Sequence, residues 1–360
     1  MVLLLKDLYN EKYIELLCQK ISHVYPDFKS IAFKKAIFNT QWREYELKER
    51  MHHISTTLGE YLPKFYSEVI NILCLIFTNM NTNHRIENMI FQDFVEVYGL
   101  NSFDTSMKAL EVFTVNSSSE FAIRQFLLKY EKKTMRQMLL WTICENEYVR
   151  RLASEGCRPR LPWAISLPAF KSNPASVLKL LDLLKDDSSA YVRKSVANNL
   201  NDISKDNPQL IKELTKKWLG FSKERDTLLK HACRTLLKSS DSEVLALFGF
   251  TQPTNIFLEN FIHTTSLRMG KELEFSFDIV SPVALGKLRI EFVIGFLRKN
   301  DKHNKKVFKI AEGTYCKMNK TVSKTYSFRP ISTRAYYRGE QKLSILINGV
   351  VFKEVSFTLD

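Results

Sequence analysis

The stretch ENEYVRRLASEG at residues 145–156 recurs in altered form as SSAYVRKSVANNL at 188–200 and DTLLKHACRTLL at 226–237. Val149 and Val192 occupy matching positions 43 residues apart, and the third stretch repeats the pattern 37 residues later. Two-helix units with a period of about 40 to 47 residues are typical of HEAT repeats, which stack because no unit can bury its apolar face alone. The repeat therefore predicts a helical solenoid with a concave face.

Outside this repeat, apolar residues continue at helical spacing from the start of the chain to about residue 245. After the Gln252-Pro253 break the period changes to two, and the residues from Glu272 to Ile279 alternate strictly, as in a half-buried strand. Asn348-Gly349 between two apolar runs indicates a β-hairpin. We predict a mainly α fold, with a HEAT-like helical-repeat solenoid at 1–248 and a small all-β immunoglobulin-like sandwich at 249–360.

The composition excludes several classes of protein. The longest apolar run, Val69 to Phe77, is far shorter than the roughly 20 residues of a membrane-spanning helix, and no signal peptide is evident, so we expect a cytoplasmic protein. Six scattered cysteines without a C-x-x-C pair indicate free thiols. The adjacent His52 and His53 point about 100° apart on a helix, and we predict no metal and no cofactor.

Charge is distributed unevenly along the chain. The formal net charge is +14, and residues 298–338 contain 12 basic residues against two acidic ones. Lysine and arginine that neutralise phosphates release condensed counterions, so a polyanionic partner is the first hypothesis. A solvated surface that only improves solubility is the alternative.

The first copy of the repeat contains charged residues that are candidates for a catalytic or binding site. Val149, Leu152 and Gly156 define a buried stripe, which places Arg151 and Glu155 together on the opposite side, one turn apart. An arginine and a glutamate at this spacing form either a site or an ordinary surface ion pair.

Three further residues have both a structural and a functional interpretation. Trp163 follows two prolines that end the repeat helix, and is either held beside Glu155 or buried as a core aromatic. Glu120 stands three residues after Ser117 and matches a capping box. Asp202 lies at the C-terminal end of its helix, where a carboxylate opposes the helix dipole, and a functional role explains that placement.

Four longer segments resemble the AlkC family of DNA alkylation repair glycosylases. They are YELKERMHHISTTLGEYLP, SSSEFAIRQFL, ENEYVRRLASEGCRPRLPW and DDSSAYVRKSVANNLNDISKDNP. The tail, with GFLRKNDKHNKKVFKI, SFRPISTRAYY and ILINGVVF, resembles the immunoglobulin-like extension of one branch of that family. The resemblance covers nearly the whole chain.

The resemblance implies a monomeric enzyme that excises cationic adducts such as 3-methyladenine and 3-methylcytosine from double-stranded DNA without flipping the base. It implies that Glu120, Glu155 and Asp202 are catalytic and that Arg151 and Trp163 hold the lesion's backbone and sugar. The chemistry is consistent, because a base alkylated at N3 is already positive and needs no protonation, whereas a carboxylate near C1′ stabilises the oxocarbenium-like transition state.

For the basic tail we expect loop residues that grip the DNA duplex: Lys299, Lys302, Lys305, Lys306, Arg329 and Arg334. The main alternative to an enzyme is a HEAT scaffold that binds DNA or protein without catalysis. A plain DNA binder gains nothing from carboxylates facing phosphate, which favours the glycosylase. An RNA-binding repeat protein would carry base-reading side chains in every repeat, and these repeats differ too much for that.

Overall fold

The computed structural model of this chain describes residues 4–80, 83–331 and 334–360. In these ranges a 3₁₀ turn at Leu5–Leu8 is followed by 15 α-helices and eight β-strands. The helices of the first half are α1 (Glu11–Val24), α2 (Ser30–Ile37), α3 (Leu47–Tyr61), α4 (Tyr66–Thr78), α5 (Met89–Tyr98), α6 (Phe103–Phe113) and α7 (Ile123–Trp141). The others are α8 (Glu147–Gly156), α9 (Pro168–Ser172), α10 (Ala175–Leu184), α11 (Ala190–Ile203), α12 (Pro208–Trp218), α13 (Lys223–Ala232), α14 (Arg234–Lys238) and α15 (Ser242–Leu247).

The strands all follow the helices. They are β1 (Phe257–His263), β2 (Ser266–Leu267), β3 (Glu272–Val280), β4 (Gly286–Leu297), β5 (His303–Tyr315), β6 (Asn319–Ser327), β7 (Gly339–Ile347) and β8 (Val350–Leu359). The predicted change from helices to strands after the Gln252-Pro253 break is therefore confirmed. None of the helices in the described part of the chain combines the length and the apolar character that a bilayer crossing needs.

Helices α8 and α11, which carry the first two copies of the repeat, begin in the same way. The side chains of Asn146 and Ser189 accept hydrogen bonds from the backbone N–H groups of Tyr148 and Tyr191, so each helix has an N-terminal cap. Inside the helices Val149 and Val192 are buried. Helix α8 packs against α7, α10 and α11, and α11 packs against α13, so the three copies of the repeat are neighbours in space.

The strands form two sheets, one with the order β1-β3-β6 and one with the order β2-β8-β7-β4-β5. All pairs are antiparallel except β2 with β8. Apolar side chains of both sheets share one core, and the rings of Phe275 on β3 and Phe292 on β4 lie 5.2 Å apart across it. Burial alternates along β3 as the sequence predicted, because one face of the strand points into this core.

Contacts divide the chain into two compact units. The first contains the residues up to Asn207 and Ser222–Ala232, and the second contains Pro208–Phe221 and Cys233–Asp360. Helices α12, α14 and α15 thus belong to the same unit as the strands. The sequence-based boundary between 248 and 249 lies inside this second unit and stays a prediction.

The turn between β7 and β8 has the geometry that its Asn-Gly sequence predicted. Asn348 and Gly349 both have positive φ, at 48° and 81°, as a two-residue type I′ turn requires. A β-carbon added at Gly349 would lie 2.6 Å from Cδ1 of Leu245 and 3.1 Å from Cβ of Ser240. Glycine is therefore needed here both for its backbone conformation and for its lack of a side chain.

Changing Gly349 to Ala should lower the free energy of unfolding by about 1 to 2 kcal/mol or more, because a left-handed backbone and a steric clash are imposed together. Urea denaturation of the full chain measures this loss. Gly313→Ala is the matched control, since a β-carbon there would meet nothing closer than 3.8 Å and the backbone φ is ordinary. Equal stability of the two variants would contradict the conclusion that position 349 requires glycine.

Candidate active site

The structure brings the three predicted carboxylates into one chain of ion pairs. Glu120 lies in the turn before α7, Glu155 in the last turn of α8 and Asp202 in the last turn of α11. Because α8 packs against both α7 and α11, these three ends are neighbours. Two arginines, Arg151 and Arg158, connect the carboxylates in the order Glu120, Arg151, Glu155, Arg158, Asp202.

Arg151 connects the first two carboxylates. Its NH1 donates to Oε2 of Glu120 at 2.7 Å, and its NH2 lies 3.5 Å from Oε1 of Glu155. The guanidinium carbon lies 4.8 Å from the centroid of the Tyr191 ring, a cation–π distance. Burial alone would lower the pKa of Arg151, but the two carboxylates outweigh burial and raise the pKa above the usual value.

Arg158 connects Glu155 to Asp202. Its NH1 donates to Oε1 of Glu155 at 2.5 Å, and its Nε donates to Oδ2 of Asp202 at 2.9 Å. Burial acts to lower the pKa of Arg158, and the two carboxylates raise it by more. The ammonium of Lys205 reaches the other oxygen of Asp202 at 3.1 Å from a more exposed position.

The charged groups of this ion-pair network are unusually buried. The side chains of Glu155 and Asp202 are only 5% and 2% exposed. The second oxygen of Glu155 accepts a hydrogen bond from Ser195 Oγ at 2.6 Å, and Ser195 in turn accepts one from Ser154 at 2.7 Å. Desolvated carboxylates are tolerated only when they are paired and hydrogen-bonded, and here both oxygens of each have partners.

Two structural alternatives from the sequence are wrong. Glu155 does not form a surface ion pair, because neighbouring helices cover the side of α8 that was expected to face solvent. Glu120 does not close a capping box with Ser117: its carboxylate binds Ser118 Oγ and Arg151, while Ser117 Oγ donates to the carbonyl oxygen of Arg85.

Trp163 is not the core aromatic that one interpretation expected. Its side chain is 71% exposed, and its backbone adopts a left-handed conformation with φ of 64°. The ammonium of Lys48 donates to its carbonyl oxygen and lies 4.1 Å from the centroid of the Phe121 ring. An exposed indole on a strained backbone position is typical of a binding residue rather than a packing residue. Its expected place beside Glu155 stays a prediction.

The loop that carries Arg158 and Trp163 is held by Arg124, a residue that sequence reasoning missed. Arg124 lies on α7 and is fully buried, and its guanidinium donates to the carbonyl oxygens of Gly156, Arg158 and Ile165. Burial lowers its pKa to about 10. No local pattern reveals this role, because the partners are backbone groups more than 30 residues away. Arg158, by contrast, stands three residues after Glu155. This helical spacing of opposite charges is visible in the sequence and could have identified Arg158.

The predicted DNA-contacting residues of the tail lie in different settings. Lys299, Lys302 and Arg329 are exposed and outside the strands, as expected. Lys305 and Lys306 are exposed but lie on β5, so their prediction as loop residues is wrong: the turn at 298–302 is short, and β5 begins at His303.

Arg334 is half-buried, which distinguishes it from the exposed cations of the tail. It donates to the Tyr326 hydroxyl at 2.6 Å and lies 4.5 Å from the centroid of the Phe296 ring. Together with Arg298, Lys299 and Lys306 it lines a cavity of about 720 Å³.

No group of three or more histidine, cysteine, aspartate or glutamate side chains is arranged to hold a metal ion within residues 4–80, 83–331 and 334–360. Arginine and lysine side chains bind one oxygen of Glu120, one oxygen of Glu155 and both oxygens of Asp202.

Comparison with known proteins gives matches over the whole chain. Residues 110–238 match the family described as DNA alkylation repair enzyme, and residues 259–360 match the C-terminal Ig-like domain of YhaZ. The chain is 44% identical over 356 residues to the uncharacterized protein YhaZ of Bacillus subtilis, with 98% of each protein covered. It is similar to the alkylpurine DNA glycosylase AlkC of Pseudomonas fluorescens, solved bound to DNA containing an abasic site analog. That match has a TM-score of 0.95 and 31% identity over 99% of this chain and 100% of the other.

Removing Arg124 should destabilise the fold, because three backbone carbonyl groups lose their donor. Each buried carbonyl left without a partner costs about 1 to 3 kcal/mol, so Arg124→Met should lower the free energy of unfolding by roughly 3 kcal/mol or more. Arg136→Met is the control, since Arg136 lies on the same helix and is exposed. Chemical denaturation of both variants measures the difference, and a loss no larger than that of the control would show that Arg124 does not hold the loop.

Proposed function

Because this chain belongs to the AlkC family of DNA alkylation repair enzymes, with a C-terminal Ig-like domain, we propose that it is a DNA glycosylase. Its substrates are cationic alkylated bases, such as 3-methyladenine and 3-methylcytosine, in double-stranded DNA. The reaction hydrolyses the N-glycosidic bond and leaves an abasic site. The observation that carries the proposal is the chain of three carboxylates and two arginines at the ends of adjacent helices.

The carboxylates of this ion-pair network suit a cationic substrate. Arg151, Arg158 and Lys205 formally balance their charge, so the attraction depends on where the carboxylates lie and not on a net negative charge. A buried carboxylate attracts a positively charged nucleotide more strongly than a solvated one does, because the surrounding dielectric constant is lower. A neutral base gains no such stabilisation.

The roles of the three carboxylates follow from the chemistry of glycosidic cleavage. An N3-alkylated base leaves as a neutral molecule without being protonated, so a general acid is unnecessary. What remains is an oxocarbenium-like sugar, which Glu155 and Glu120 stabilise electrostatically or attack through a positioned water molecule. Asp202 assists by adding negative charge behind them. No metal and no cofactor takes part.

Arg151 binds a DNA phosphate in this mechanism. Its guanidinium is only partly buried and rests on the ring of Tyr191, with Glu120 and Glu155 as its present partners. A phosphate that takes over some of its hydrogen bonds weakens its pairing with the carboxylates and makes their charge more available to the sugar. Trp163, with its exposed indole, contacts the lesion's sugar or backbone, and the base stays in the stack.

The remaining parts of the proposal concern architecture and location. We propose that the stacked helices of residues 1–248 form a HEAT-like solenoid and that residues 249–360 form a domain that contacts DNA. The exposed cations of the second unit, with the cavity lined by Arg298, Lys299, Lys306 and Arg334, support contact with phosphates. The enzyme acts as a monomer in the cytoplasm.

The experiment is to incubate the purified protein with N-methylated duplex DNA and to measure release of free 3-methyladenine and 3-methylcytosine. The same ion pairs can also be purely structural, as in a non-catalytic HEAT scaffold that binds DNA. Release of methylated bases supports the glycosylase. Binding to DNA without any release would support the scaffold.

Changing Glu155 to Gln should reduce the excision rate roughly a hundredfold or more, as loss of a preorganised electrostatic group does. Glu145→Gln is the matched control, because Glu145 is exposed and lies just before the same helix. Single-turnover excision of 3-methyladenine measures both variants, and circular dichroism checks that they are folded. A wild-type rate for folded Glu155→Gln would exclude Glu155 from the mechanism.

Neutralising the exposed lysines of the tail should weaken DNA binding and reduce its dependence on salt. With Lys299, Lys302, Lys305 and Lys306 all changed to Gln, the slope of log affinity against log salt should fall by up to about 3.6, since each phosphate contact contributes about 0.9. The control carries the same charge change at exposed lysines elsewhere, namely Lys12, Lys29, Lys35 and Lys64. Equal slopes for the two quadruple variants would assign the tail lysines to solubility instead.

A further inference from the structure

The guanidinium of Arg158 lies between two buried carboxylates that belong to different helices. It uses two different nitrogens, with NH1 bound to Glu155 at 2.5 Å and Nε bound to Asp202 at 2.9 Å. All three side chains are less than a tenth exposed. Two desolvated carboxylates that share a partner in this way repel each other, and the cation between them compensates that repulsion.

Arg158 is itself held in place by the protein. Its carbonyl oxygen accepts a hydrogen bond from NH1 of Arg124 at 2.8 Å, and its backbone N–H donates to the carbonyl oxygen of Glu155 at 3.2 Å. The next residue, Pro159, accepts from the backbone N–H of Leu167. The backbone of Arg158 and two nitrogens of its guanidinium thus have their partners within the protein.

We propose that Arg158 is a positioning residue for excision, which fixes the orientation of Glu155 and Asp202 and places a positive charge between them. The inference rests on the proposed glycosylase function. Arg158 acts through the carboxylates and does not contact DNA. A planar guanidinium can satisfy two carboxylates at once with fixed geometry, whereas the ammonium group of a lysine is a single point charge.

Other charged groups near the pair cannot replace this role. Arg151 approaches Glu155 only at 3.5 Å and also binds Glu120, and Lys205 is more than a third exposed. Without Arg158, the two carboxylates lose the partner that orients them, and the repulsion between them is no longer compensated.

The test compares Arg158→Lys and Arg158→Met in the full chain. Single-turnover excision of 3-methyladenine is measured at neutral pH, and affinity is measured for a duplex that contains an abasic-site analogue. Arg158→Met should lose about 10- to 100-fold in excision rate, as variants of residues that support reactive groups commonly do. Arg158→Lys should lose less, because it restores the positive charge between the carboxylates. Affinity for the abasic duplex should change little.

Arg160→Met is the matched control, because Arg160 lies on the same segment and binds Asp206 in the turn after α11. Arg160 donates two hydrogen bonds to Asp206, at 2.9 and 2.5 Å, in a more exposed place. This variant should keep the wild-type rate. A double variant adds a second check: if Arg158 acts through Glu155, Arg158→Met should reduce the rate less in a Glu155→Gln background than in the wild type.

Each outcome of these experiments either supports the inference or overturns it. Wild-type excision rates for both Arg158 variants, in a protein that excises methylated bases, would overturn this inference and leave the proposed function intact. If Arg158→Met does not fold, Arg158→Lys decides: a wild-type rate overturns the inference, and a reduced rate with unchanged affinity supports it. A wild-type protein that releases no methylated base would remove the proposed function, and this inference with it.

Discussion

The candidate site depends on pairing its carboxylates with cations, because Glu155 and Asp202 are almost fully buried. Transfer of a single unpaired carboxylate into the interior costs several kcal/mol even after the protein relaxes. In this site acidic and basic side chains alternate from Glu120 through Arg151, Glu155 and Arg158 to Asp202. The pairs hold only because the ends of α7, α8 and α11 meet, and the site is therefore a property of helix packing.

The same packing explains why a loop interrupts the repeat after α8. Arg158 must leave the helix in order to reach Asp202 on α11, and the prolines that follow prevent the helix from continuing. Arg124 then supplies donors to the carbonyl groups that the ended helix leaves without partners. From this position after the helix, one guanidinium joins the carboxylates of two neighbouring repeats.

Sequence patterns predicted the parts of the structure that depend on local spacing. They located the change from helices to strands, the Asn348-Gly349 turn and the carboxylates at matching ends of repeated helices. They failed where tertiary packing decides. The burial of Glu155 comes from helices on both sides of α8, and the role of Arg124 comes from backbone groups far along the chain. For Trp163, sequence could not choose between core and surface, since a tryptophan is equally suited to burial and to binding.

The ion pairing also bears on which bases such a site can release. A neutral base leaves readily only when a general acid protonates it, and that role needs a carboxyl group that holds its proton near neutral pH. Here each carboxylate accepts a hydrogen bond from a guanidinium group, so the oxygens that are bound in this way are not placed to donate a proton to a leaving base. In the proposed reaction, this arrangement favours a base that is already cationic, because such a base leaves without being protonated. The ion pairs that hold the three helix ends together would then also contribute to the choice of substrate.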